Sequence, residues 1–143
     1  MDEKKNYKKL AERKVPPSHL VKNCFNAFLF GGTICTIGEL ISSIYKLIGL
    51  DKDTAGSLTS VSMIFIGVLL TGLGVYSKIA RFAGAGTIVP ITGFANSVAS
   101  PAIEAKTEGL ILGVAAKIFT IAGPVIVYGT VASVIVGIGF FIL

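Results

Sequence analysis

Groups able to do covalent chemistry are scarce in this chain. Its 143 residues hold one histidine, His19, and two cysteines, Cys24 and Cys35. His19 lies in a polar arm without a partner acid in a local motif, and no Ser/His/Asp or paired-carboxylate arrangement is visible. An enzyme is therefore not expected. The two cysteines are eleven residues apart. On one helix that is about 16 Å, far beyond disulfide reach. No Cys/His cluster has metal-ligand spacing, so neither a metal nor a cofactor is expected. Charge is also thin, at 15% of residues, against roughly 25% in a soluble domain. With 52% hydrophobic residues and a mean hydropathy of +0.78, the composition is that of an integral membrane protein. The length fits one domain.

The charge that is present is unevenly spread. Residues 1–22 hold seven basic side chains (Lys4, Lys5, Lys8, Lys9, Arg13, Lys14 and Lys22) against three acids, net +4 of the chain's +5. Such a block can bind nucleic acid, but this one directly precedes an apolar run and contains only Tyr7 as an aromatic. A positive-inside anchor is the better reading, with no nucleic-acid partner. A secretory signal fits poorly: the polar region is long, the apolar region contains Glu39, and no A-x-A site closes it.

Apolar runs predict an all-α membrane protein of about four transmembrane helices, with a Gly/Pro-broken segment between the second and third. The expected order is a basic cytoplasmic arm (1–22), then one transmembrane domain (23–143). Its helices are expected at about 24–48, 57–78, 106–122 and 125–143, with the broken segment at 82–103. Gly49–Gly56 is the turn of the first hairpin. Cations at both ends of that hairpin, with none in excess in its turn, put the N-terminus and Arg81 on the cytoplasmic side. The last apolar run, Gly109–Leu143, is 35 residues long with Lys117 as its only charge. A continuous helix would measure about 52 Å against a ~30 Å hydrocarbon core, so a break at Gly123–Pro124 is expected.

Phe82–Ile103 carries the most information. It runs 22 residues without a charge, interrupted by Gly84, Gly86, Pro90, Gly93 and Pro101 and dotted with Thr87, Thr92, Asn96, Ser97 and Ser100. Irregular backbone at membrane depth is tolerated only where protein covers it or a wet cavity solvates it. Segments of this kind mark solute or ion sites. The candidate path residues are Gly84, Gly86, Thr87, Pro90, Thr92, Gly93, Asn96 and Ser97. Lys78 and Arg81 stand at the entrance, either as topology signals or as substrate contacts, and Glu104 and Glu108, placed i, i+4 on one helix face beside Lys106, either cap and solvate a helix start or join the path. Re-entry on one side is preferred over full crossing. Gly84-x-Gly86 lacks the strand and Lys-Ser/Thr ending of a phosphate loop.

Small and polar residues recur at helical spacing: Gly32, Thr36, Glu39, Ser43 and Lys46; Gly67, Thr71, Gly74, Lys78 and Arg81; Gly113, Lys117 and Thr120; Gly129, Ser133 and Gly137. Such stripes either pack helices closely or face a solute. Glu39 and Lys117 are charges at membrane depth, each costing roughly 2.5–3.5 kcal/mol near a helix centre if left facing lipid. They either pair with each other, with a snorkelling Lys117 as the variant of that reading, or line a path.

The run Gly84-Ala85-Gly86, Val89 to Ser97, and Glu104 with Glu108-Gly109 strongly resembles the SpoVAC/SpoVAEb family of stage V sporulation proteins. The basic arm, the start Asn23-Cys24-Phe25-x-Ala27-Phe28 and the pair Gly31-Gly32 resemble its AC branch. The resemblance covers essentially the whole chain. Glu39, Lys117 and the abrupt end at Leu143 fall outside the family pattern. The resemblance implies a subunit of the SpoVA complex in the inner membrane of the forespore and spore. That complex moves dipicolinic acid, with calcium, inward in sporulation and outward in germination. It further implies a homologous SpoVAE-type membrane subunit and a soluble SpoVAD-type subunit as partners. A channel responsive to membrane tension is associated with the AC branch. Too few segments are present to enclose a pore alone, so an oligomer is expected. The alternative is a non-conducting membrane scaffold that assembles and anchors the other subunits.

Overall fold

The computed structural model describes residues 19–142. Most of the basic arm lies outside the described residues. Helix α1 runs from Leu20 to Leu47 and so takes in Lys22, starting ahead of the expected position. A short turn follows, in which Gly49 adopts φ +95°. Helix α2 then spans Lys52–Gly72. It starts at Lys52 rather than 57 because Asp51 caps it: the Thr54 amide donates to Asp51 Oδ2 at 3.0 Å. Asp53 in the first turn complements the helix dipole.

The second expected helix does not run on to residue 78. Gly74, at φ +68°, ends α2 and opens a separate helix α3, Val75–Ala83. Left-handed backbone costs glycine little, which explains why the chain turns here. The stripe Gly67, Thr71, Gly74, Lys78 and Arg81 is thus split between two helices. A 3₁₀ turn, Gly84–Thr87, leads into helix α4, Pro90–Glu104, with Pro90 in its first turn and Pro101 inside it. A second 3₁₀ turn covers Ala105–Glu108, followed by a π-helical turn at Leu110–Ala115. Helix α5 then runs from Ala116 to Ile142.

The expected break at Gly123–Pro124 is absent. Pro124 lies inside α5, and only a local hydrogen bond is forfeited there. Membrane helices accept such a proline when nearby groups re-satisfy the backbone. Gly123 is the buried residue of α5 and packs beside the Phe119 ring.

Among the described residues, three helices are long and apolar enough to cross a membrane: Leu20–Leu47, Lys52–Gly72 and Leu110–Ile142. Helix α4 has 15 residues. At the α-helical rise it is about 22 Å long, short of a ~30 Å core. Helix α4 packs along α2, while α1 packs on α2 and on the Gly84–Thr87 turn. The core is built from small residues such as Ala55, Ala83, Ala95, Ala99, Ala102 and Ala105. Small side chains allow close helix approach, the main source of affinity between helices in lipid. Helix α5 meets α4 through its early turns, but from Val125 to Phe141 its large apolar side chains stay exposed.

Candidate functional site

The broken segment is held between the spanning helices by glycine. An ideal Cβ on Gly86 would lie 2.5 Å from the Ala27 carbonyl oxygen, and one on Gly31 would lie 3.3 Å from Gly86 O. The Gly84–Thr87 turn therefore touches α1 backbone to backbone. Asn26 reinforces the contact, its Nδ2 donating to Phe82 O at 3.2 Å. From the other side Tyr76 of α3 donates through its hydroxyl to Thr87 O at 2.9 Å, in a buried bond. The Thr87 hydroxyl is satisfied locally by Gly84 O. At Gly86 and Thr87 the irregular main chain is buried by protein, as irregular backbone at membrane depth requires.

Helix α4 is pinned next. A Cβ on Gly93 would lie 2.7 Å from Thr87 O, so only glycine lets α4 fold back on its own entry turn. Gly67 of α2 faces Thr92 and Ala95 at van der Waals distance. Thr71 Oγ1 of α2 lies 2.9 Å from Asn96 Oδ1 and 2.7 Å from Gly67 O, and its one hydroxyl proton is shared between the two acceptors. Thr92 is 5% exposed, and its hydroxyl has no hydrogen-bond partner within the described chain. Ser97 turns its hydroxyl onto Phe94 O of its own helix. Gly86, Thr87, Thr92, Gly93 and Asn96 are thus brought together around α2 and α1. Pro90 is exposed at the start of α4 and Gly84 is exposed at the end of α3.

A family model described as the SpoVAC/SpoVAEB sporulation membrane protein matches residues 23–139, which takes in this whole cluster. The chain belongs to that family. It is also similar to stage V sporulation protein AC of Bacillus subtilis (strain 168). The two are 50% identical over 135 residues, covering 94% of this chain and 90% of that one. No solved structure matches. The SpoVAC/SpoVAEB chain is accordingly a membrane protein of sporulation, and its spanning helices agree with that description.

The charged residues expected at the site are arranged differently from the cluster. Lys78 and Arg81 are exposed on α3. Glu104 ends α4 and Glu108 ends the following 3₁₀ turn. They do not share one helix face, because the chain leaves the α-helix between them. Glu39 pairs with Lys46 at 3.6 Å, two turns along α1, and not with Lys117. Lys117 is exposed near the start of α5. In α1 the expected stripe of Gly32, Thr36, Glu39, Ser43 and Lys46 is exposed except at the half-buried Ser43, whereas Ala27 and Gly31 make the contact with the broken segment.

Asn26 and Tyr76 carry weight that no periodicity in the sequence announced. Their signal is in three dimensions: Asn26 bonds a carbonyl 56 residues along the chain, and Tyr76 bonds one across the turn that follows its helix. A hollow of about 580 Å³ also lies between α2, α4 and α5, lined by apolar side chains such as Val68, Ala99 and Ile118, with Lys106 at its edge. Such a lining suits acyl chains or another helix better than a polar solute.

Proposed function

We propose that this chain is a membrane subunit of a conduit for dipicolinic acid, with calcium, across the inner membrane of the forespore and spore. Uptake accompanies sporulation and release accompanies germination. The reading rests first on membership of a sporulation membrane protein family and on the relative named above. The structural observation that carries it is the insertion of Thr87, Thr92 and Asn96 between helices rather than into water or lipid. Dipicolinate is a planar dianion, so it needs cations at the mouth and neutral hydrogen-bonding groups inside. Lys78 and Arg81 supply the first, and the hydroxyls and amide of 87–97 the second.

In this conformation Asn96 is bonded to Thr71 and Thr92 is buried. Passage therefore calls for α4 to part from α2, or for a path shared between subunits. The short α4 favours re-entry, with the N-terminus and Arg81 on the cytoplasmic side by the positive-inside rule. The uncovered length of α5 favours an oligomer, and a homologous membrane subunit and a soluble subunit are the partners the reading assigns.

The test is dipicolinate release from liposomes holding the purified chain alone and with its partner subunits. Asn96→Leu should cut release while leaving insertion and assembly intact; unchanged release would remove Asn96 from the path. The exposed α5 face also suits a scaffold that conducts nothing. For a scaffold, no combination of subunits containing this chain gains conductance from it.

A further inference from the structure

A second hollow, of about 320 Å³, opens between the first turns of α1 and the junction of α3 with the Gly84–Thr87 turn. Asn23 and Cys24 line it from α1, and Arg81 with the main chain of 82–85 lines it from the other side. Among the described residues, Arg81 is the only charged one lining it. Lys22 and Lys78 stand within one turn of it along their helices. Among the described residues, no acid lies in α1 before Glu39 and none lies between Asp53 and Glu104. The ion pair found there, Glu39–Lys46, is elsewhere on α1. The hollow is therefore cationic, and no carboxylate of the described chain occupies it.

Its walls are fixed. Asn26 ties α1 to Phe82 O at 3.2 Å, and Gly86 rests on Ala27 directly below. Gly84, at φ +52°, turns the chain where a Cβ would meet nothing of the described residues within 4 Å. A guanidinium offers a planar fork of donors matched to carboxylate and phosphate oxygens, and a carboxamide adds one further donor. We propose that this hollow is a binding site for a carboxylate- or phosphate-bearing anion, held by Arg81 and assisted by Asn23. The site deepens the conduit reading, of which it is the cytoplasmic first stop, and rests on that reading for this role alone.

Cys24 is a reporter already in place. In the full chain with Cys35→Ser, its modification by an uncharged maleimide is timed in nanodiscs at constant ionic strength. One arm adds pyridine-2,6-dicarboxylate or inorganic phosphate to phosphatidylcholine discs, with chloride as the control. The other compares phosphatidylglycerol discs with phosphatidylcholine discs. Slower labelling in the first arm identifies a soluble anion as the occupant, and in the second a lipid headgroup. Either result supports the site, provided Arg81→Gln weakens the protection. The expected loss is about tenfold in half-protecting concentration, the size of one charge-assisted hydrogen bond. Arg81→Lys, which keeps the charge and loses the fork, should fall between the two.

Labelling that ignores every anion overturns the proposal, as does protection that survives Arg81→Gln. Arg81 is exposed, so neither substitution threatens the fold. The two readings also fail separately. Lost dipicolinate flux with intact Cys24 protection removes the conduit, and intact flux without protection removes the site.

Discussion

Gly86 and Ala27 meet main chain to main chain: a methyl group built on Gly86 would lie 2.5 Å from Ala27 O and 2.9 Å from Ala27 Cα. Neither neighbour is a flexible side-chain tip that can move aside. Gly86→Ala should therefore destabilise the fold by about 1–3 kcal/mol, the usual cost of overpacking. Gly32→Ala, whose added Cβ meets nothing within 4 Å, is the matched control. The check is the thermal unfolding midpoint of both variants in detergent. Equal midpoints would mean that the turn does not sit on α1.

The bond from Thr71 to Asn96 is a side-chain link between α2 and α4. Hydrogen bonds between membrane helices couple weakly, by about 0.6 kcal/mol on average and about 1.7 at most. A double-mutant cycle of Thr71→Val and Asn96→Ala should return a coupling in that range. A value of zero would show that the two helices are held by packing alone.

Thr92 presents the opposite case. Its hydroxyl is buried and lacks a partner among the described residues, a state costing on the order of 1–3 kcal/mol. Thr92→Val keeps the shape and removes that cost, so the isolated chain should unfold at a higher temperature. If the hydroxyl serves the solute path, the same variant loses dipicolinate release. Stabilisation with unchanged release would confine Thr92 to packing.

Asp51 responds to acid. Hydrogen bonds from the Thr54 side chain and amide hold its carboxyl below the ordinary 3.8. A lowered value means that the cap contributes at higher pH and is lost as pH falls through the folded-state value. Amide exchange at Thr54 should therefore quicken below the usual carboxylate range. In Asp51→Asn the exchange should show no such acid-dependent rise, since a carboxamide caps without titrating.

Much of the candidate site is legible in the sequence. Gly86, Thr87, Thr92, Gly93 and Asn96 stand out because proline, glycine and hydroxyls interrupt an uncharged apolar run; Gly86 meets α1, Thr87 meets α3 and Gly93, and Thr92 and Asn96 meet α2. Their contacts were not legible. The polar stripe of α1 points away from the segment, and Ala27 with Gly31 meets it instead. Alanine and glycine have no signature that separates a contact face from filler. Asn26 and Tyr76 became visible only when Phe82 O and Thr87 O were brought beside them.

What the amino-acid order determined by itself is the solvent this chain lives in and the segment that glycine, proline and hydroxyls interrupt. These follow from local chemistry: hydropathy and missing N–H groups. The tertiary structure alone decided that Pro124 is absorbed into one long helix, that α2 bends into α3 at Gly74, and that Glu39 turns to Lys46. Each outcome depends on which neighbour reaches a group first, and that competition is settled by packing across the fold rather than along the chain.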